Sequence, residues 1–134
     1  MFSTNYDINK IEVALKNVIV AGNISKKVFT GNRPSMPEDK SPDDFVVISV
    51  SSTLSDLSAY GRCVCAIDIF CKNLPNGCKN GGNMSIITQK ARTIFPIKHD
   101  DYLFNSEPNI IPMGSDGFGY HVERIQIQLL IKSI

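Results

Sequence analysis

The sequence predicts an α+β fold: two helices packed on one face of a mainly antiparallel sheet of four to five strands. Three observations predict it. Two stretches repeat apolar residues at helical spacing, and two long runs alternate apolar with polar residues. The order of elements, helix, three strands, helix, two strands, sets helices against one side of a sheet. At 134 residues and 43% hydrophobic content the chain forms one domain, residues 1–134, with a core of ordinary size.

The first helix lies between Asp7 and Gly22, where Ile8, Ile11, Leu15, Val18 and Ile19 share a stripe, Asp7 caps the start and Gly22 ends it. "SKKVFT" reads as a short strand. "GNRPSMPEDKSPDD" follows, and Pro34, Pro37 and Pro42 bar regular structure there. "FVVISVSS" is the second strand, "TLSDLSAYG" a polar connection, and "RCVCAIDIFCK" the third strand. Asn83 caps a second helix with Met84, Ile87, Ala91, Ile94 and Phe95 on its apolar stripe, stopped by Pro96. "KHDDYLFNSEP" reads as irregular. "NIIPM" and "YHVERIQIQLLIK" then flank "GSDGFG", where Asp116-Gly117 suits a hairpin turn. In the last strand Ile125, Ile127, Leu129 and Ile131 face one way, and Arg124, Gln126 and Gln128 the other.

Three of the four cysteines lie in "GRCVCAIDIFCKN". In a strand Cys63, Cys65, Ile67, Ile69 and Cys71 share one side, so the thiols continue an apolar stripe. Cys63 and Cys71 stand about 26 Å apart at ~3.3 Å per residue, whereas zinc holds each sulfur at ~2.3 Å. They cannot share a metal. Cys63 and Cys65, about 6.6 Å apart by the same rise, make a poor disulfide. The reading is buried, reduced thiols, with a Cys71 to Cys78 contact as the alternative.

Fourteen basic and thirteen acidic residues balance, which disfavours nucleic acid or an anionic membrane as partner. No apolar run approaches the roughly 20 residues of a bilayer span, and "MFSTNYDINK" is unlike a secretory leader. The expectation is a soluble cytoplasmic protein, with the Asn-X-Ser matches at Asn23 and Asn83 unused. The three glycines of "GSDGFG" precede a strand rather than the helix a phosphate cradle requires. His99, Asp100 and Asp101 read as a solvated loop, His121 beside Tyr120 as a packing or hydrogen-bonding residue. No catalytic, cofactor or metal residues are expected, and the chain is not read as an enzyme. The segments 31–44, 53–61 and 74–82 are long loops, and such loops are generally functional or disordered.

These features, in order, carry a resemblance: the helix "INKIEVALKNVIVAG", then "KKVFTGNRP", a proline-rich loop, "DDFVVISVSS", the strand "AYGRCVCAIDIFCKN", the helix "MSIITQKARTIF" and the closing "YHVERIQIQLLI". Together with the stretch Val28 to Pro34 they make nearly the whole chain resemble the tail-terminator, or tail-completion, proteins of long-tailed bacteriophages. The resemblance implies a structural virion protein. It would form a ring, commonly a hexamer, that caps the tail tube and meets the head connector, assembling in the host cytoplasm and ending in the virion tail. Its partners would be copies of itself, the tail tube protein and the connector protein. Phe29, Arg33, Tyr60 and Arg62, at loop bases, are the candidate interface residues. The alternative is a cytoplasmic ligand-binding or regulatory α+β domain that uses the open sheet face. An enzyme working through the His99 to Asp101 region is a third possibility.

Overall fold

A computed structural model describes residues 7–34, 42–56, 60–105 and 109–132. Two long strands form its spine. β4 (Tyr60–Lys72) and β8 (Tyr120–Lys132) pair antiparallel along their whole length, from Tyr60 opposite Lys132 to Lys72 opposite Tyr120. The outer edge of β4 is shared by β2 (Asp44–Val50) and the two-residue β3 (Ser55–Asp56). The outer edge of β8 is shared likewise: β6 (Tyr102–Phe104) pairs with one end and β7 (Asn109–Ser115) with the other. β1 (Val28–Thr30) lies parallel to β2, and β5 (Ile97–His99) is antiparallel to β6. The path is β1-β2-β4-β8-β6-β5, with β3 and β7 attached beside it.

The sheet therefore has eight strands, more than the four to five expected. The excess comes mainly from β5 and β6, which fall almost wholly within the stretch from Lys98 on, read from sequence as irregular. Three-residue strands are too short to show a period, and pairing with Leu129–Ile131 of β8 decides their conformation. The β1–β2 bond is the one parallel pairing among the described strands, so the sheet is mainly antiparallel. The first strand is also shorter than "SKKVFT", beginning only at Val28.

α1 (Ile8–Ala21) starts where expected: the Asp7 carboxylate accepts from the backbone N–H groups of Asn9 at 2.8 Å and Lys10 at 3.4 Å. Gly22 ends it for a different reason than a left-handed cap. Its φ is −79°, and the left-handed residue is the next one, Asn23, at 54°. Gly22 supplies space, because a Cβ there would stand 2.6 Å from Ile94 Cδ1. α2 (Gly81–Arg92) begins earlier than predicted. Asn80, not Asn83, is the cap, its side chain accepting from the Asn83 N–H at 3.2 Å. Both asparagines are competent caps, and Gly81-Gly82 is tolerated in a first turn whose N–H groups lack intrahelical partners anyway.

The proposed long loops shrink accordingly. Asp44 already belongs to β2, Gly81 and Gly82 belong to α2, and Tyr60 and Gly61 belong to β4, with β3 folded back on Gly61 and Arg62. Residues 35–41 and 57–59, the middles of two of those loops, lie outside the described residues.

Both helices cover one face. Ile11, Leu15, Val18 and Ile19 of α1, with Met84, Ile87 and Ala91 of α2, pack on Val46, Ile48, Cys63, Cys65, Ile67, Ile69, Ile125, Ile127 and Leu129. Each large apolar side chain buried there contributes about 1.5–3 kcal/mol. α1 also protects an edge: β1 reaches only to Ile48 of β2, and the next outward amide, that of Val50, donates to Glu12 Oε2 at 3.0 Å.

Candidate interaction surface

The alternation that sends Cys63, Cys65 and Cys71 to the helices sends Tyr60, Arg62, Val64, Ala66, Asp68 and Phe70 to the other face of β4. That face carries three unlike patches. At one end Phe45, Val47, Phe70, Tyr120 and Val122 form a second buried cluster, with Phe29 packed against it. Phe45 stacks on Phe70 at 4.4 Å between ring centroids and meets Tyr120 edge-on at 5.1 Å and Phe29 at 6.1 Å.

Arg33 closes this cluster. Its guanidinium lies 5.0 Å from the Phe118 ring centroid, 5.5 Å from Tyr120 and 5.6 Å from Phe45, within cation–π range of all three. Its Nε stands 3.1 Å from Asp116 Oδ2. Both atoms are sealed from solvent and are poorly aligned for a hydrogen bond, so charge holds them together. The other Asp116 oxygen, Oδ1, accepts from the backbone N–H groups of Phe118 at 2.7 Å and Tyr120 at 3.1 Å. Gly117 and Gly119, at φ 79° and 92°, supply the left-handed residues of this turn. The Tyr120 hydroxyl donates to the Pro42 carbonyl at 2.6 Å.

Mid-face, Arg124 and Asp68 form a forked ion pair, with Nε–Oδ1 at 2.7 Å and Nη2–Oδ2 at 3.0 Å. The bond to Asp68 raises the Arg124 pKa above its ordinary value. At the far end Tyr60 and Arg62 are exposed. The structure thus brings Phe29 and Arg33 together and leaves Arg62 about 26 Å and Tyr60 about 33 Å from Phe70 along β4, at ~3.3 Å per residue. Sequence reasoning missed Asp116, Phe118 and Tyr120 as neighbours of Arg33. The aspartate and glycines of "GSDGFG" announce a turn, but nothing local announces the remote arginine that the turn holds.

β7 is a separate feature. Six of its seven residues are exposed and Ile111 is half-buried. Ile110 is 39% exposed, Met113 46%, and Phe118 at the turn 72%, the highest value among the exposed large apolar side chains. The outer edge of β7 is interrupted by Pro112, which has no N–H, and by a bulge between Pro112 and Gly114.

The remaining polar candidates stay apart. His99 Nε2 lies 3.7 Å from the exposed Asp100 carboxylate, beside a groove of about 390 Å³ shared with Val13, Ala14 and Tyr102. Burial pushes the Tyr102 hydroxyl up to about 12. His121 Nδ1 sits 2.6 Å from Asn73 Oδ1, a hydrogen-bonding residue as expected. All four cysteines are free; Cys63, Cys65 and Cys71 are buried and Cys78 is exposed. A hydrogen bond to Cys63, together with burial, raises the Cys65 pKa, and burial pushes Cys71 up to about 12. These are neutral filling thiols. Among the described residues no three His, Cys, Asp or Glu side chains gather where they could hold a metal, and no helix is long and apolar enough to cross a membrane.

No family model and no curated protein matches the chain. A solved structure, of a protein whose name states no activity, matches with a TM-score of 0.57 over 92% of this chain and 92% of its own, at 12% identity. At that identity the likeness shows the fold alone: an α+β domain with two helices on a mixed sheet.

Proposed function

We propose that this chain is a structural protein of a long-tailed bacteriophage, a tail terminator whose copies form a hexameric ring that caps the tail tube and joins it to the head connector. The observation that supports this reading best is the exposed apolar surface of β7 and its turn. Ile110, Met113 and Phe118 stand in solvent on a domain whose other sheet residues are largely packed. Exposed apolar side chains along a strand and its turn are surface that a protein partner can cover. A copy of the same chain is a natural partner, because a head-to-tail contact that closes on itself makes a ring without a growing edge. Phe29, Arg33, Tyr60 and Arg62 are assigned to the same assembly surfaces, the first two beside the β7–β8 turn and the last two at the opposite end of the face.

Within this reading the domain supplies a rigid spine, and its chemistry is recognition rather than turnover. The test is capping. Tail tubes assembled without a terminator are mixed with the purified protein and viewed by negative-stain electron microscopy. The expected outcome is density at one tube end and an arrest of further growth. Tubes that remain bare and keep growing would overturn the assignment.

A further inference from the structure

Two segments remote in sequence meet at Asp116, and one carboxylate serves both. Oδ1 holds the β7–β8 turn through the amides of Phe118 and Tyr120, while Oδ2 faces Arg33 on the stem of the β1–β2 connection. The far stem of that connection is tied to the same turn, because the Tyr120 hydroxyl donates to Pro42 O at 2.6 Å. We infer that Arg33, Asp116 and Tyr120 form a latch that makes the two stems of the β1–β2 connection, at Arg33 and Pro42, move as one unit with the β7–β8 turn, so that whatever engages one of them changes the other.

The physical reason is that neither segment can leave alone. The Asp116 side chain is only 8% exposed, and its Oδ2 and the Arg33 Nε are both sealed. Withdrawing Arg33 leaves a buried carboxylate oxygen facing no cation, an arrangement proteins avoid strongly. The side chain relieves it by rotating outward, and that rotation takes Oδ1 away from the two turn amides. The converse also holds: opening the turn carries Asp116 and Phe118 from Arg33, whose guanidinium then keeps only Phe45 and Tyr120. Coupling of this kind is reciprocal, so the effect read from either side is the same. Phe118, highly exposed and 5.0 Å from the Arg33 guanidinium, is where a partner would reach the latch first. The latch belongs to the free chain and does not depend on the ring reading; it can fail while capping is observed, and the reverse.

Native-state hydrogen exchange on the full chain tests it across the gap. Arg33→Gln is read at the amides of Phe118 and Tyr120, and Asp116→Asn, which keeps an Oδ1 acceptor for the turn, at the amides of Gly31 and Asn32. These donate to Ile48 O and Thr30 O. Each variant is expected to speed exchange at the opposite segment about tenfold, with the double variant no faster than either single one. Amides in the middle of the β4–β8 ladder should stay at their original rates. Effects confined to the mutated segment, or effects that multiply in the double variant, would overturn the latch. Tyr120→Phe provides a second route if either charge variant fails to fold. It removes the hydroxyl that donates to Pro42 O and should speed exchange at the Lys72 amide, which donates to Asp43 O, and at Gly31. A change at neither site in Tyr120→Phe would also overturn it.

Discussion

β6 and β7 share one edge of β8 and are held to it by different forces. β6 is three residues long, yet it sends Tyr102 and Phe104, 2% and 0% exposed, into the helix-covered core. β7 is seven residues long and buries none of them fully. Its attachment is the backbone ladder to His121–Gln126 and the Asp116 turn. Length is therefore not what fixes a strand in this sheet. β6 is anchored by the hydrophobic effect acting on its side chains, whereas β7 leaves its side chains largely in solvent and is held by its backbone ladder. The same division runs through the two sheet faces, one filled with isoleucine and cysteine under the helices, the other graded from an aromatic cluster through an ion pair to exposed Tyr60 and Arg62.

The largest effect expected from this comparison is at Phe104. Phe104→Ala should cost about 3–5 kcal/mol by removing a fully buried ring, measured as the shift in denaturant unfolding. The matched change on β7, Ile110→Ala, should move stability by no more than about 0.5 kcal/mol. Equal costs would erase the distinction between the strands. Next comes the ion pair. Asp68→Ala leaves the half-buried Arg124 without its carboxylate and should cost about 2 kcal/mol in the same assay. A change near zero would show that the helix-free face behaves there as open water.

A smaller, pH-dependent effect tests whether the helix-covered face is dry. Cys71 rises from 9.0 to about 12, and Tyr102 from 10.0 to about 12, each chiefly through burial. Both groups are neutral when protonated, and the folded state holds the proton more tightly than the unfolded one. Their contribution is complete below pH 9 and is lost as pH rises toward 12. Thermal unfolding should therefore show Tm falling across that interval, and Cys71→Ala should fall less steeply. Parallel profiles for the two proteins would mean that the Cys71 thiol ionises as freely in the fold as outside it.

What the sequence could reveal followed from which forces act locally. β4 and β8 were legible because a strand buried on one face writes its period over many residues, and α1 because Asp7 and the Ile11, Leu15, Val18 stripe agree. β5 and β6 were not, since Ile97–His99 and Tyr102–Phe104 are strands only through what they pair with. The start of α2 was misplaced by three residues because Asn80 and Asn83 both satisfy the chemistry of a cap. Of the candidate surface, Arg33 and Phe29 were identifiable at a loop base next to a turn-rich stretch. Asp116, Tyr120 and Phe45 were not, because ring stacking and a remote ion pair leave no spacing to read.

The claim at the centre of this account is that the β7 side chains and Phe118 belong to a contact between copies. Light scattering across a concentration series, on the wild-type chain and on an Ile110→Ser, Phe118→Ser double variant, tests it most directly. The account predicts a wild-type mass that rises to a multiple of 14.8 kDa and a variant that stays at 14.8 kDa with its thermal unfolding unchanged. A variant that assembles as the wild type does, or a wild-type chain that remains at 14.8 kDa throughout, would contradict it.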